Sequence, residues 1–240
     1  MSKKSMEPFG LALEDFVNGN KNATVIFHRD DGLKDEYSIS TCFRTFREFS
    51  SIEKLAITLC RGKILDIGAG VGPHSLKLQD LGFEIYSIDI CPQACEIMRE
   101  RDLKNVKCTT IYNIQEKIFD TFLLMGRSIG FVEDLKGLKK FLHYSKKLLH
   151  PDGIILLDSL DLRLTERPEH LAYQARNLKL GRYIGEIELQ MEYKGYLGEP
   201  FKLLHVDPDT LNKLAQETGW FCNILDKEEN GSYLAKIFNS

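Results

Sequence analysis

The sequence predicts an α/β domain in which helices cover both faces of a largely parallel sheet, and three observations carry that expectation. From Lys63 onward, short apolar runs of strand type alternate with stretches of helical period, the pattern of repeated strand–helix–strand units. The first of those strands runs directly into a glycine-rich turn and a helix. Ile154-Ile155-Leu156-Leu157 is continuously apolar, as a strand buried on both faces must be.

In chain order, Leu13, Phe16 and Val17 set the period of a short amphipathic helix, Ala23–His28 reads as a strand entering the Asp31-Gly32 turn, and Phe43, Phe46 and Phe49 recur at period three. Residues 1–51 lie outside the alternation and form a cap segment, with the phenylalanine stripe either core or a lid over the glycine turn. The α/β domain occupies residues 52–240. Its first strand is Lys63–Ile67 and its first helix spans roughly 73–81, ended by Gly82 in a left-handed conformation. Glu84–Asp89 is the second strand, followed by a helix from about Pro92 to Asp102, with Pro92 where a missing N–H leaves no bond unmade. Val106–Ile111 and Asp120–Met125 are the third and fourth strands. Over residues 134–149 leucines and Phe141 keep helical spacing while five lysines fall largely between them on a solvated face. Pro151-Asp152-Gly153 turns the chain into the strand Ile154–Asp158. Beyond it, Glu186–Tyr193 and Phe201–Val206 alternate like strands across a Gly195/Gly198 turn, and Asp207 caps a helix running to Thr218 with Pro208 in its first position. Phe221–Asp226 and Ser232–Phe238 close the chain as a hairpin through Asn230-Gly231.

A chain of 240 residues holds one elaborated domain at about 150 residues per domain, not a fusion of two enzymes. With 43% hydrophobic residues it builds a core without disulfides or metal. Lys+Arg 32 against Asp+Glu 35 gives a net charge of −3, which supplies no overall attraction to a phosphate backbone or an anionic membrane. The six cysteines contain no CxxC pair and read as the reduced thiols of a cytoplasmic protein. Cys91 and Cys95 fall one helical turn apart, but no second pair completes a metal site. No apolar stretch follows Lys3 and Lys4, and nowhere do 18 apolar residues run together, so neither a signal peptide nor a membrane span is expected.

The informative stretch is Leu65-Asp66-Ile67-Gly68-Ala69-Gly70-Val71-Gly72. Between a strand and a helix, such a turn lays backbone N–H groups against an anionic or polar ligand, and glycines keep side chains out of that approach. The dinucleotide fingerprint GxGxxG counted from Gly68 requires glycine at 73, where this chain has Pro73. Asp66 precedes the first glycine by two residues and Asp89 ends the next strand, 21 residues beyond Gly68. Both carboxylates reach the carboxyl edge of adjacent strands, where ligands bind. Asp89 is placed to accept hydrogen bonds from both hydroxyls of a ribose, and Asp66 to hold the N–H groups of the turn or a ligand ammonium.

At these residues the chain resembles the class I S-adenosylmethionine-dependent methyltransferases. ILDIGAGVGPHSLKL resembles the family's first motif, EIYSIDI its acidic ribose-binding strand, FDTFLLMGRSIGF its fourth-strand motif and LLHPDGIILLDS its turn into strand five, over roughly residues 52–160. The resemblance implies a doubly wound, Rossmann-like seven-stranded sheet, mostly parallel, whose last two strands are the C-terminal antiparallel hairpin. It makes Glu186–Val206 an antiparallel pair inserted after strand five, within an insertion near 160–206. It further implies S-adenosylmethionine as cofactor, with Asp66, Ile67, Gly68, Ala69, Gly70 and Gly72 at the turn, Asp89 and Ile90 at the ribose, Thr110 and Ile111 beside the adenine, and Met125 and Gly126 near the methyl group. Members commonly carry an Asp after strand three for the adenine amino group. Here Thr109-Thr110-Ile111-Tyr112-Asn113 stands there, leaving Thr110 or Asn113 for that contact. Arg44, next to the phenylalanine stripe, is the candidate clamp for the methionyl carboxylate.

Methyl transfer from a sulfonium is an in-line displacement that positioning alone can accelerate, so no signature base is required. Arg127, after strand four, is expected to face the methyl group and orient an acceptor carboxylate or phosphate, since its planar fork pairs with such groups. His205, at the end of the inserted hairpin, is the candidate base, and the two are expected to converge above the glycine turn. His74 and His143 are expected to be structural. The whole reads as a cytoplasmic methyltransferase for a small-molecule acceptor, with residues 1–50 and 160–206 forming the acceptor pocket, no metal, no membrane partner and a homodimer contact through the insertion left open. A nucleotide-cofactor oxidoreductase and a non-catalytic cofactor-binding partner subunit share the same sheet; Pro73 stands against the first. No Asn-Pro-Pro-Tyr type motif for a flipped base follows strand four, so nothing points to nucleic acid.

Overall fold

Local sequence starts and stops the helices, and the helices fix where each strand emerges. The computed structural model describes residues 2–115 and 119–239. In order, its elements are α1 (Glu7–Val17), β1 (Thr24–Arg29), β2 (Lys34–Ser38), α2 (Ser51–Leu59), β3 (Lys63–Ile67), α3 (Pro73–Asp80), β4 (Glu84–Asp89), α4 (Pro92–Glu100), β5 (Val106–Cys108), β6 (Phe119–Leu124), α5 (Leu135–Leu148), β7 (Leu149–Leu160), α6 (Pro168–Lys179), β8 (Glu186–Tyr193), β9 (Tyr196–Leu197), β10 (Phe201–Leu204), α7 (Pro208–Glu217), β11 (Phe221–Lys227) and β12 (Ser232–Phe238). Ser50 caps α2 in a reciprocal box with Glu53, and Asp207 caps α7 by accepting from the N–H groups of Asp209 and Thr210. Gly82, at φ +89°, closes α3.

Seven strands form one sheet in the order β11-β12-β7-β6-β3-β4-β5. The pairs β3–β4, β3–β6, β4–β5 and β6–β7 are parallel, and β12 runs antiparallel to both β7 and β11. Phe122, Leu123, Leu124, Ile155, Leu156 and Leu157 are fully buried because both faces of β6 and β7 are covered. The strand order reverses between β3 and β6, so the connections leaving their carboxyl ends diverge to opposite faces and open a crevice there.

A second, antiparallel sheet has the order β10-β8-β1-β2, with β9 paired to β8. The expected antiparallel pair is therefore present as β8 and β10, and it is extended by strands from the other end of the chain. β1 pairs with β8 from Ile26↔Glu192 to Arg29↔Leu189, which joins the cap segment to the insertion as one layer. Two local expectations change. The third strand stops at Cys108, and Ile111–Asn113 tightens into a 3₁₀ turn. Pro151-Asp152-Gly153 does not break β7: pairing with β6 shifts from Phe119↔Leu149 to Thr121↔Ile154, so the extra residues bulge from a strand that continues through them. Among the described residues no helix is long and apolar enough to cross a membrane, and no group of three or more His, Cys, Asp or Glu is placed to hold a metal ion.

Candidate active site

The crevice at the carboxyl ends of β3, β4 and β6 is a cleft of about 510 Å³. Its floor is Ile67, Gly68, Ala69 and Gly70, one wall is Asp89, Ile90 and Thr109–Tyr112, and the other is Met125, Gly126, Arg127 and Ser128. The second sheet and α1 roof it with Met6, Phe9, Phe27, Tyr37, Met191, Phe201 and Leu203.

Backbone geometry shapes the floor. Gly68, Gly70 and Gly72 have φ of +72°, +58° and +77°, where a side chain is strained. A Cβ on Gly68 would lie 2.8 Å from that of Ser128, whose hydroxyl donates to the Ile67 carbonyl at 2.8 Å; the missing side chain lets the loop after β6 fasten to the turn. A Cβ on Gly72 would lie 2.4 Å from Leu103 Cδ1, whereas one on Gly70 would meet nothing within 4 Å. Gly70 is the open cradle. The N–H groups of the turn are otherwise arranged than expected: Gly68 and Ala69 both donate to the Ile88 carbonyl, Gly72 to that of Ala69, and Gly70 to Asp89 Oδ2 at 2.9 Å. The turn offers a ligand close approach to backbone more than a row of free donors.

The two turn carboxylates separate. Asp66 does not reach the cleft: it is 1% exposed and accepts from Ser75 Oγ at 2.7 Å, while Ser87 Oγ donates to Ser75 Oγ at 2.7 Å. This buried polar chain fastens α3 to β3 and β4, and burial raises the Asp66 pKa. Alternation is the reason, since Ile67 and Leu65 occupy one face of β3 and Asp66 the other. Asp89 does line the cleft. Its Oδ1 accepts from Cys91 N–H at 2.8 Å and its Oδ2 from Gly70 N–H, leaving each oxygen room for one more donor. Burial pushes its pKa up to about 6, against the lowering effect of those N–H groups.

Ile90, Thr110, Ile111, Met125 and Gly126 line the cleft, and Gly72 does not. Asn113 turns its amide to Thr109 Oγ1 at 3.3 Å and lines a separate, smaller cavity. Arg44 lies at the edge of the cleft with Nη1 and Nη2 bonded to Glu53 at 2.8 and 2.9 Å and Nε donating to the Thr41 carbonyl. Its fork is thus aligned on Glu53. His74 Nε2 lies 2.9 Å from Glu53 Oε1, and its ring packs 4.6 Å from that of Phe49. Burial acts to raise the Glu53 pKa, but the bonds from His74, Arg44 and Ser50 N–H outweigh it and hold the carboxyl near 2.

Arg127 lines the cleft in the left-handed region, at φ +61°, with its backbone N–H bonded to Asp158 Oδ1 at 2.8 Å and Nη2 donating to Ser232 Oγ at 3.3 Å. Burial pushes Asp158 up to about 6. His205 is not among the lining residues. β10 ends at Leu204 and His205, one residue beyond it, bonds through its N–H to the Gly185 carbonyl. Its Nδ1 is buried and makes no hydrogen bond among the described residues. Burial, with the nearby Arg127 charge, drops its pKa to about 3. His205 thus lies near enough to Arg127 for that charge to act on it, but of the two only Arg127 lines the cleft. The segments expected to face the acceptor, 1–50 and 160–206, do supply the roof, but the individual side chains Met6, Phe9, Phe27, Tyr37, Met191, Phe201 and Leu203, and the acid Glu133 at the cleft wall, were not singled out; for the apolar ones the one signal was alternation, which does not say which layer a strand joins.

A doubly wound, Rossmann-like sheet that opens over a glycine turn, with an acid at the end of the next strand and proline at 73, defines a class of transferases that bind a nucleoside-containing cofactor at this edge. The chain belongs to the methyltransferase domain family, whose model matches residues 43–222. It is similar to an S-adenosylmethionine-dependent methyltransferase from Bacteroides fragilis solved in complex with S-adenosyl-L-homocysteine, with 31% identity, a TM-score of 0.85 and coverage of 98% of this chain and 96% of that one. It is also 26% identical over 171 residues to the ubiquinone biosynthesis O-methyltransferase of Pelagibacter ubique (strain HTCC1062), covering 68% of this chain and 67% of that protein. The fold is shared with the CcbJ methyltransferase from Streptomyces caelestis at 11% identity and a TM-score of 0.59, over 81% of this chain and 94% of that one. The protein is an S-adenosylmethionine-dependent methyltransferase. Its residues fit that cofactor: the space above Gly70 admits a ligand against the backbone, and the buried Asp89 keeps acceptor capacity beside it.

Proposed function

We propose that the floor of the cleft holds the cofactor and that the roof receives a flat, apolar acceptor bearing a hydroxyl group. The observation that carries this reading is the contrast between the two surfaces, backbone and one carboxylate below, Phe9, Phe27, Met191, Phe201 and Leu203 above. Ile67–Gly70 take the cofactor against backbone, Asp89 takes the ribose hydroxyls, Ile90, Thr110 and Ile111 flank the adenine, and Met125 and Gly126 stand beside the methyl group. Glu53 and His74 hold Arg44 at the methionyl end, where an N–H of its guanidinium outside the Glu53 fork meets the carboxylate. Arg127 stands on the acceptor side. S-Adenosylmethionine, when bound, supplies an electrophilic methyl group.

What the chain itself does is bind, align and exclude water. Holding the two reactants in line is worth up to roughly 7–11 kcal/mol in model systems, and the apolar roof removes competing water. Tyr37 and Cys42 face the cleft with Oη and Sγ 3.6 Å apart. Burial keeps both protonated, raising the tyrosine and pushing the thiol to about 11, so Tyr37 can donate to an acceptor oxygen and the thiol does not compete for the methyl group. The likeness to an O-methyltransferase supports a hydroxyl as the accepting group. Incubation with isotope-labelled S-adenosylmethionine and matched panels of flat phenols, aliphatic amines and oligonucleotides, read by mass spectrometry, tests the proposal. Label is expected on phenols, and Phe201→Ala should weaken acceptor binding while leaving S-adenosylhomocysteine affinity unchanged. Label on amines or oligonucleotides alone would overturn it.

A further inference from the structure

We infer that the acceptor is an aromatic hydroxy acid and that Arg127 holds its carboxylate, while the hydroxyl takes the methyl group. The inference rests on the acceptor reading proposed above and names the polar end of that acceptor. Two arginines line the cleft, Arg44 and Arg127. Arg44 already has its counter-charge, with both nitrogens of its fork bonded to Glu53 at 2.8 and 2.9 Å. The Arg127 side chain makes one hydrogen bond among the described residues, to the neutral Ser232 Oγ at 3.3 Å, and pairs with no carboxylate there. Its charge acts on Asp158, but Asp158 Oδ1 accepts the backbone N–H of Arg127 and not its guanidinium. The two acids that line the cleft are committed elsewhere: Asp89 accepts from the N–H groups of Gly70 and Cys91, and Glu133 has an interaction of its own. Burial keeps His205 and Tyr37, on which the Arg127 charge also acts, uncharged at neutral pH.

An unpaired guanidinium costs little while water reaches it, and Arg127 is exposed in the open cleft. An acceptor seated against Phe27, Phe201 and Leu203 removes that water. Were the acceptor neutral, its arrival would leave a cation desolvated without a counter-charge, which opposes binding. A carboxylate on the same ring reverses the sign, because the guanidinium fork offers it two parallel N–H groups at a place where the apolar roof strengthens the attraction. Tyr37, whose hydroxyl faces the cleft within reach of the same charge, supplies a neutral donor on that side. Bond formation stays at the hydroxyl. The carboxylate decides which way round the ring lies under the roof, and so which oxygen is presented to the methyl group.

Isotope-labelled S-adenosylmethionine with hydroxybenzoates and hydroxycinnamates, each beside its primary amide, tests this on the full chain. In the wild type kcat/KM for the acid should exceed that for the amide at least tenfold, the scale of one hydrogen bond to a charged group, and the label should be held as an alkali-stable ether. Arg127→Gln should bring the ratio to about onefold, and Arg127→Lys, which keeps the charge and loses the fork, should leave it between the two. Calorimetry should find the S-adenosylhomocysteine affinity of both variants unchanged. The wild-type ratio decides the matter by itself if a variant fails to fold. Equal rates for acid and amide, or a ratio unchanged in Arg127→Gln, would overturn the inference and leave the proposed hydroxyl acceptor standing. Label on no phenol, or only as an alkali-labile ester, would overturn the hydroxyl acceptor, and the inference with it.

Discussion

Cofactor affinity should depend on pH through Asp89. The carboxyl is 9% exposed, and burial lifts its pKa from an ordinary 3.8 to about 6, so near pH 5 most of the apoprotein carries a proton there. A ribose that donates two hydroxyls needs the charged form. Binding below pH 6 must therefore displace a proton, and the dissociation constant of S-adenosylhomocysteine should rise about tenfold between pH 7 and pH 5, roughly 1.4 kcal/mol. Above pH 7 it should be flat. The sign for folding is opposite. Between about pH 4 and 6 the native state binds this proton more tightly than the unfolded chain, so Asp89 alone makes the apoprotein less stable as pH rises through that window, and ligand reverses the effect. Titration calorimetry in two buffers of different ionisation enthalpy would read affinity and proton release together. Asp89→Asn should bind about 10–150-fold more weakly at pH 7 and lose the pH dependence, since its NH2 must face either Gly70 N–H or Cys91 N–H. A wild-type affinity that is flat from pH 5 to 7, or a variant that keeps the slope, would refute the reasoning.

Glu53→Ala leaves Arg44 and His74 without their shared carboxylate, and removing one member of a buried ion pair costs about 3–5 kcal/mol, which urea unfolding would register as a lower midpoint at unchanged slope; a loss below about 1 kcal/mol would mean the network is loosely held. Gly70→Ala and Gly72→Ala should separate affinity from stability. The first has open space around its Cβ and should lose about 1–2 kcal/mol of stability but most of its cofactor affinity, whereas the second drives a methyl into Leu103 and should lose stability further, by about 1–3 kcal/mol. His205, with its pKa near 3, should show imidazole resonances that do not move between pH 8 and pH 5; titration near 6.5 would restore it as a candidate base.

The central sheet was legible because its strands are runs of residues that have no other place to go. β3 and β4 have the expected bounds, and Pro92, Asp207 and Pro208 open α4 and α7 where capping chemistry puts them. The second sheet was less legible for a physical reason. β2 buries none of its residues and β1 buries only Val25, so neither carries a strong pattern, and the pairing that creates the layer joins Ile26 to Glu192, a separation no local period records. α6 escaped notice because it buries only Tyr173 and Asn177. At the site, the position of Asp89, Gly68 and Gly70 at the cleft was readable from spacing, whereas Gly72 belongs to the turn and not to the cleft lining. That of Asp66 was not, since whether a strand carboxylate faces ligand or helix depends on one residue of register. His205 failed for a similar reason: the sequence marks the hairpin, but not that its last strand ends one residue short of it.

The proposed cofactor seat is the glycine floor with Asp89, beneath an apolar roof. A crystal structure of the protein grown with S-adenosylhomocysteine tests it most directly. Ligand density is expected against Gly68–Gly70, with both ribose hydroxyls within hydrogen-bond distance of Asp89 and the homocysteine sulfur directed toward the side of the cleft roofed by Phe27 and Phe201. Density elsewhere on the molecule, or a ribose out of reach of Asp89, would contradict it.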